Sequence, residues 1–305
     1  MTTILFVLLP HVHLMDLAGP DQVFLEAIGY GADMRVQYCS CTDTVTTSAA
    51  LPFGAVQNFR EVSLTEGDFV IIPGAELSYL QSPEFRSRTD FFEWIRECRE
   101  RGIRLCSICS GAFALAESGV LDGRRCTTHW KRTSELQQMY PTVQVIDNVL
   151  FTEDEGIYTS AGIAAGIDLA LYLVEEMNGA YFAHKVAREM VIYSRRNGNT
   201  TQHSELLSFR NHIHAGIHKV QDWLHEHLHE KFTIGDLADI AAMSERNFTR
   251  IFKKETSLTV HQYITRLRKE KIEQLMRNSD ISQSQVAALC GLTSERQISR
   301  IKKKR

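Results

Sequence analysis

No apolar run in this sequence approaches the roughly 20 residues of a membrane-spanning helix. Residues 4–9 are apolar, but Pro10, His11 and Asp16 follow at once, so neither a membrane anchor nor a secretory signal is expected. The seven cysteines are an odd number without scaffold spacing, which argues against a disulfide-built secreted domain and for reduced thiols in a cytoplasm. Low-complexity tracts are missing too. With 44% hydrophobic and 23% charged residues, the chain has the balance of a globular protein. A large net charge is also lacking, but the value of −3 conceals a division. From Asn211 onward 17 basic residues face 11 acidic ones, a net of +6, which leaves −9 on the preceding residues. A basic tail on an acidic body suits a polyanion-binding module attached to something that does not bind polyanions.

A length of 305 residues exceeds the usual single domain. Up to about residue 190, strand and helix signals alternate. Buried strands are predicted at 4–9, 69–72 and 103–108, and an alternating strand at 35–39. Helices are predicted at 21–27, 90–101, 110–118 and 163–177. This alternation predicts a mostly parallel sheet covered by helices on both faces. Residues 195–208 are polar and without periodicity, as in a linker. Beyond them the pattern is all-helical.

That helical part contains a near-repeat. Ser244-Glu245-Arg246-Asn247-Phe248-Thr249-Arg250-Ile251 recurs as Ser294-Glu295-Arg296-Gln297-Ile298-Ser299-Arg300-Ile301. Each copy follows a short Ala-containing amphipathic stretch and a tight turn, and each runs into lysines. Helix, turn and polar helix with Arg and Asn or Gln on one face is the pattern of a helix-turn-helix, here in tandem. Arg246, Asn247, Thr249 and Arg250 are candidates for base edges or phosphates of double-stranded DNA. Arg296, Gln297, Ser299 and Arg300 are their counterparts, since Arg suits guanine and Asn or Gln suits adenine. Ser244 and Ser294, which begin each copy, and Lys253 complete the DNA-binding set. Lys254 and residues 302–305 are expected to add phosphate attraction. Thr259 is placed to cap a connecting helix with Ile264, Leu267, Ile272, Leu275 and Met276 on one stripe. Such a helix is expected to set the two readers about one DNA turn, roughly 34 Å, apart.

In the first part, Leu105-Cys106-Ser107-Ile108-Cys109-Ser110-Gly111-Ala112 reads as an apolar strand, a sharp turn and a helix start. It is like a nucleophile elbow with Cys in place of Ser. Cys109 would then project at the strand's carboxyl end beside a helix N-terminus, where open α/β sheets bind ligands. Cys106 belongs within the strand: three strand steps, roughly 10 Å, separate it from Cys109 and preclude a disulfide. Asp16 reads equally as a pocket acid or a helix N-cap. The histidines at 212, 214, 218, 225, 227 and 229 read as a solvated helix face, and Cys39-Ser40-Cys41 as buried strand thiols, rather than metal sites.

Several ordered motifs carry a resemblance to the DJ-1/PfpI (class I glutamine amidotransferase-like) domain. They are His11-Val12-His13-Leu14-Met15-Asp16-Leu17-Ala18-Gly19-Pro20, Asp68-Phe69-Val70-Ile71-Ile72-Pro73-Gly74-Ala75, Cys109-Ser110-Gly111-Ala112-Phe113 with Gly119-Val120-Leu121-Asp122-Gly123, Thr127-Thr128-His129-Trp130, and Thr159-Ser160-Ala161-Gly162. The tail resembles the AraC/XylS family, and the combination resembles its GlxA-type subgroup. The resemblance implies a flavodoxin-like α/β sandwich over residues 1–194 that senses a ligand and dimerises. A linker over 195–210 and an all-α tandem helix-turn-helix domain over 211–305 would follow. It implies a cytoplasmic, homodimeric transcriptional regulator, not an enzyme, with DNA, a small nitrogen-containing effector and RNA polymerase as partners, and with no cofactor or metal. The implied ligand site is Asp16, Cys109 and His129, with Ser110 where many amidase-like relatives carry His. Gly74 and Ala75 are implied as backbone N–H donors. The alternatives are a cysteine amidase, peptidase or glyoxalase acting through Cys109, and a Cys109 redox sensor. In the second helix-turn-helix, Lys302 stands where AraC/XylS proteins commonly have Phe, which predicts looser packing there.

Overall fold

Strand residues sort by parity into two cores. Leu5 and Val7 point to one face of the sheet, with Val70, Ile72 and Leu105; Ile4 and Phe6 point to the other, with Phe69, Ile71, Cys106 and Ile108. Burial on both faces is what near-continuous apolar strands demand. The structure is a computed structural model of the chain and describes residues 1–192, 196–200, 202, 209, 212–276 and 281–303. It divides into two compact units, Met1–Gln202 and His203–Arg305.

The first unit runs β1 (Thr2–Val7), α1 (Leu14–Gly29), β2 (Met34–Ser40), β3 (Gln57–Asn58), β4 (Phe69–Ile72), α2 (Leu77–Leu80), α3 (Pro83–Arg86), α4 (Thr89–Glu100), β5 (Arg104–Ile108), α5 (Gly111–Glu117), β6 (Arg125–Cys126), α6 (Thr133–Met139), β7 (Gln144–Val145), β8 (Phe151–Asp154), β9 (Ile157–Ser160), α7 (Ala164–Asn178) and α8 (Ala180–Glu189). Its seven-stranded sheet has the order β3-β2-β1-β4-β5-β9-β8. All neighbours are parallel except the β8–β9 pair. The chain goes from β1 outward to β2 and later returns to β4 on β1's other side. The strand order therefore reverses between β1 and β4, the place where flavodoxin-like sheets open a crevice at their carboxyl ends.

Two elements differ from the sequence reading. Helix α1 begins at Leu14, not near 21, and carries Pro20 inside it. Gly19-Pro20 looks like a break, yet Gly19 serves packing: a Cβ there would lie 2.8 Å from Ile167 Cγ1 on α7. The β8–β9 hairpin was not foreseen; its turn places Glu155 and Gly156 both at positive φ, 49° and 76°. The start of the expected linker is also built into the first unit. Arg196 pairs with Asp168, Leu150 N–H donates to Gly198 O at 2.8 Å, and Gln202 Nε2 donates to the carbonyls of Thr128 and Val149. Polar composition there reflects hydrogen bonding onto the sheet edge. Much of the rest of 195–210 lies outside the described residues.

In the second unit, helices Ala215–His227, Ile234–Ile240 and Glu245–Thr256 precede Val260–Leu275, Gln283–Leu289 and Glu295–Lys303. Capping boxes at Thr233/Asp236 and Ser282/Gln285 start the first helix of each helix-turn-helix. Thr259 and Gln262 bond reciprocally at the start of Val260–Leu275. That connecting helix spans both cores: Tyr263, Ile264 and Leu267 join the first, Ile272 the second. Met276, expected on the same stripe, is exposed instead. The first core holds Phe248, Phe252 and Tyr263; the second, around Val286, Cys290 and Ile298, has no aromatic among the described residues. No helix among the described residues is long and apolar enough to cross a membrane.

Candidate functional site

At the carboxyl end of β5, Cys109 adopts a left-handed φ of 55°, the turn that lifts a side chain above a sheet. Its N–H donates to Ser160 O at 2.9 Å, and its carbonyl accepts from Thr128 Oγ1 at 2.7 Å. Glycines make the room. A Cβ on Gly162 would lie 2.3 Å from Cys109 Cβ, one on Gly111 2.1 Å from Ile72 O, and one on Gly74 2.4 Å from Asp16 Oδ2.

Asp16 is fully buried in the first turn of α1, two residues inside the helix. It does not cap its own helix. Its Oδ1 instead accepts the N–H of Ile163, the residue before α7, at 2.6 Å. Among the described residues no N–H or O–H group hydrogen-bonds its Oδ2, and the Cys109 thiol bonds to the carboxylate. The nearest cationic candidate is His13, whose Nδ1 lies 3.4 Å away and whose side chain is 38% exposed. The donor atoms of His13, Asp16 and Cys109 all lie within 4.8 Å of one another, the one set among the described residues arranged so that a metal ion fits. Burial, then the Asp16 carboxylate, push the Cys109 thiol well above its ordinary range.

The other expected residues fall around this cluster in distinct roles. Ser110 Oγ accepts from Ala75 N–H at 3.0 Å and donates to Ala75 O at 2.6 Å. The Ala75 N–H is thus engaged by Ser110, and Ser110 braces the β4 and β5 loops together. Gly74 lies between Asp16 and Cys109, and its carbonyl accepts from His13 N–H at 2.7 Å. His129 is half-buried beside the cluster. Burial lowers its pKa most, Lys131 lowers it further and Asp16 opposes. The histidine that enters the cluster is His13. Sequence reasoning missed it, although its i, i+3 spacing to Asp16 would have signalled it had α1 been started correctly. Cys106 is a buried strand thiol, and all seven cysteines are free and buried.

The tandem repeat reproduces its burial pattern residue for residue. In Glu245–Thr256, Arg246, Thr249 and Arg250 are exposed, Asn247 is half-buried and Phe248 is buried; Arg296, Ser299, Arg300, Gln297 and Ile298 repeat this in Glu295–Lys303. Arg250 donates to Asn247 Oδ1 at 2.8 Å, which aligns the two side chains. Thr249 Oγ1 is turned back on Glu245 O. Gln297 Oε1 accepts from Thr293 N–H at 2.8 Å, so its amide closes its own helix start and leaves only Nε2 to face outward. Ser244 is an N-cap whose side chain makes no capping bond. Ser294 and Lys253 are exposed.

Residues 2–176 match the DJ-1/PfpI family. The chain belongs to that family. Residues 224–265 match the bacterial regulatory helix-turn-helix proteins of the AraC family, and a DJ-1/PfpI domain joined to that module makes a DNA-binding transcriptional regulator of the GlxA type. The chain is 27% identical to the HTH-type transcriptional regulator CdhR of Pseudomonas aeruginosa over 296 residues, 97% of this chain and 86% of that protein. It is 29% identical to the isonitrile hydratase of Pseudomonas putida over 187 residues, 61% of this chain and 76% of that one. The solved structure of Drosophila melanogaster DJ-1beta matches with a TM-score of 0.55 at 19% identity, covering 63% of this chain and 99% of that one, a likeness of fold alone. The DJ-1/PfpI sheet thus brings Asp16, Gly74 and Cys109 to one crevice from three separate strand ends.

Proposed function

We propose that the DJ-1/PfpI unit binds a small nitrogen-containing effector at Asp16, His13 and Cys109 without turning it over, and that occupancy controls DNA binding by the helical unit. The supporting observation is the buried Asp16 carboxylate: beside the Cys109 thiol and the half-exposed His13 ring, its Oδ2 keeps acceptor capacity that an N–H group of a ligand completes. Burial and the Asp16 carboxylate both raise the Cys109 thiol's pKa, the opposite of what an activated nucleophile needs. In this reading Gly74, Ala75, Ser110 and His129 shape and line the crevice. Arg246, Asn247 and Arg250, with Arg296 and Arg300, read DNA; Ser244, Lys253 and Ser294 hold phosphates. The regulator acts as a homodimer joined through its first unit and contacts RNA polymerase from its operator.

The test is an effector-response assay with native mass spectrometry of the purified chain. Asp16→Asn and Cys109→Ala are expected to abolish or alter the response while basal DNA binding persists. The likeness to an isonitrile hydratase keeps a turnover reading in view. Rapid conversion of an amide, dipeptide, 2-oxoaldehyde or isonitrile, lost in Cys109→Ala, would establish that reading instead.

A further inference from the structure

A second hollow lies on the other side of α1. Leu14, Leu17, Ala18 and Asp21 follow one another at helical spacing and form one wall. Tyr38 of β2 and the 53–57 loop form the rest, enclosing about 600 Å³. That size falls in the range of roughly 300–1,000 Å³ typical of small-molecule sites. Asp16 faces Cys109 from the opposite side of the same helix, so the two sites are separate.

The lining is mostly apolar, with Gln57 and the Tyr38 hydroxyl as uncharged polar groups. Asp21 is its single charged residue, and among the described residues no Lys, Arg or His lines the hollow. Its carboxylate accepts from Tyr38 Oη at 2.6 Å, and among the described residues it makes no ion pair. Burial raises its pKa, with the Tyr38 bond opposing. The Tyr38 ring is stacked on Phe6 at 6.0 Å, which holds the phenol in place. Phe53 and Tyr38 therefore set aromatic rings around a half-buried, uncompensated acid, the surroundings that favour an organic cation. A second copy of this chain would bring the same carboxylate rather than a counter-charge.

We propose that this hollow is a further ligand site, for a small molecule with an apolar body and one positive charge held by Asp21. The probes are n-hexylammonium, n-hexanol and hexanoate, titrated calorimetrically into the full chain. Hexylammonium is expected to bind at least about tenfold tighter than hexanol, a difference of about 1.4 kcal/mol, and hexanoate not at all. Asp21→Asn, which keeps the shape, should erase the preference for the ammonium and leave hexanol binding unchanged. Cys109→Ala should change nothing, which separates this site from the effector crevice. Equal binding of all three probes, a preference surviving Asp21→Asn, or no binding at millimolar concentrations would overturn the proposal. Loss of binding in Cys109→Ala would move the ligand to the crevice. Binding that appears only in a Leu14→Glu variant which also breaks a dimer would give the hollow to a second copy.

Discussion

Cys109 stands in surroundings opposite to those of a cysteine nucleophile. Burial first, and then the Asp16 carboxylate, disfavour its thiolate. Because the pKa is raised, the reactive thiolate is scarce at neutral pH and accumulates only well into the alkaline range. Alkylation of Cys109 by iodoacetamide at pH 7.5 is expected to run at least about tenfold slower than that of an unhindered thiol. Asp16→Asn removes the like charge, so its rate-against-pH profile should move to lower pH. Mass-spectrometric quantification of the Cys109 adduct over a pH series checks both; a wild-type rate equal to that of the unfolded chain would show the thiol to be activated. His13 stands half-exposed beside the buried Asp16 carboxylate.

At the scale of elements, the two recognition helices share a burial pattern but not a foundation. The first rests on Phe248 and Phe252 packed with Tyr263. The second rests on Ile298 in a small aliphatic cluster, and Lys302 Nζ reaches Met276 Sδ at 3.8 Å. A firmly based helix aims its side chains and loses less freedom on docking. Arg246→Ala is therefore expected to lower discrimination between operator and random DNA by about 1–3 kcal/mol. Deleting residues 302–305 should weaken both DNAs alike and flatten the salt dependence. Affinity against salt for both variants on both DNAs checks this; selective loss of operator binding in the deletion alone would reverse the assignment.

The same helices show what a sequence makes legible. Ser244 to Ile251 and their copy announce a repeated amphipathic turn, and local periodicity alone fixes which residues face out. The parallel sheet was legible from its apolar runs for the same reason. Helix α1 was not, because Gly19-Pro20 signals a break locally. The need that overrides it, close approach to Ile167, is set 148 residues away. His13 went unseen with it. The β8–β9 hairpin was missed because Phe151-Thr152-Glu153-Asp154 carries too little apolar character to mark a strand, although Ile157 to Ser160 is wholly buried. The 53–57 loop that closes the second hollow has no period to read.

On the scale of the whole molecule, the division of charge matches the division of the fold. The helical unit carries the excess of basic residues and both reading helices; the DJ-1/PfpI unit is acidic. A fragment of residues 203–305 is expected to shift duplex DNA in a gel, and a fragment of residues 1–202 to leave it unshifted. DNA binding by the fragment of residues 1–202 would overturn the separation of tasks.

The bond from Ile163 N–H to Asp16 Oδ1 joins groups 147 residues apart in sequence. It holds Ile163 at φ 50° and ψ −117°, a backbone that a β-branched residue does not adopt on its own. The crevice therefore has no local precursor. Residues 13, 16, 74, 109 and 162 meet only when the strands between them have paired, and contacts of such long range form late. A nascent chain emerging from a ribosome carries Asp16 long before Ile163 exists, so the crevice proposed for the effector cannot assemble until the whole first unit has been made. A ligand bound there would report on a finished domain and add to the stability of that domain as a whole.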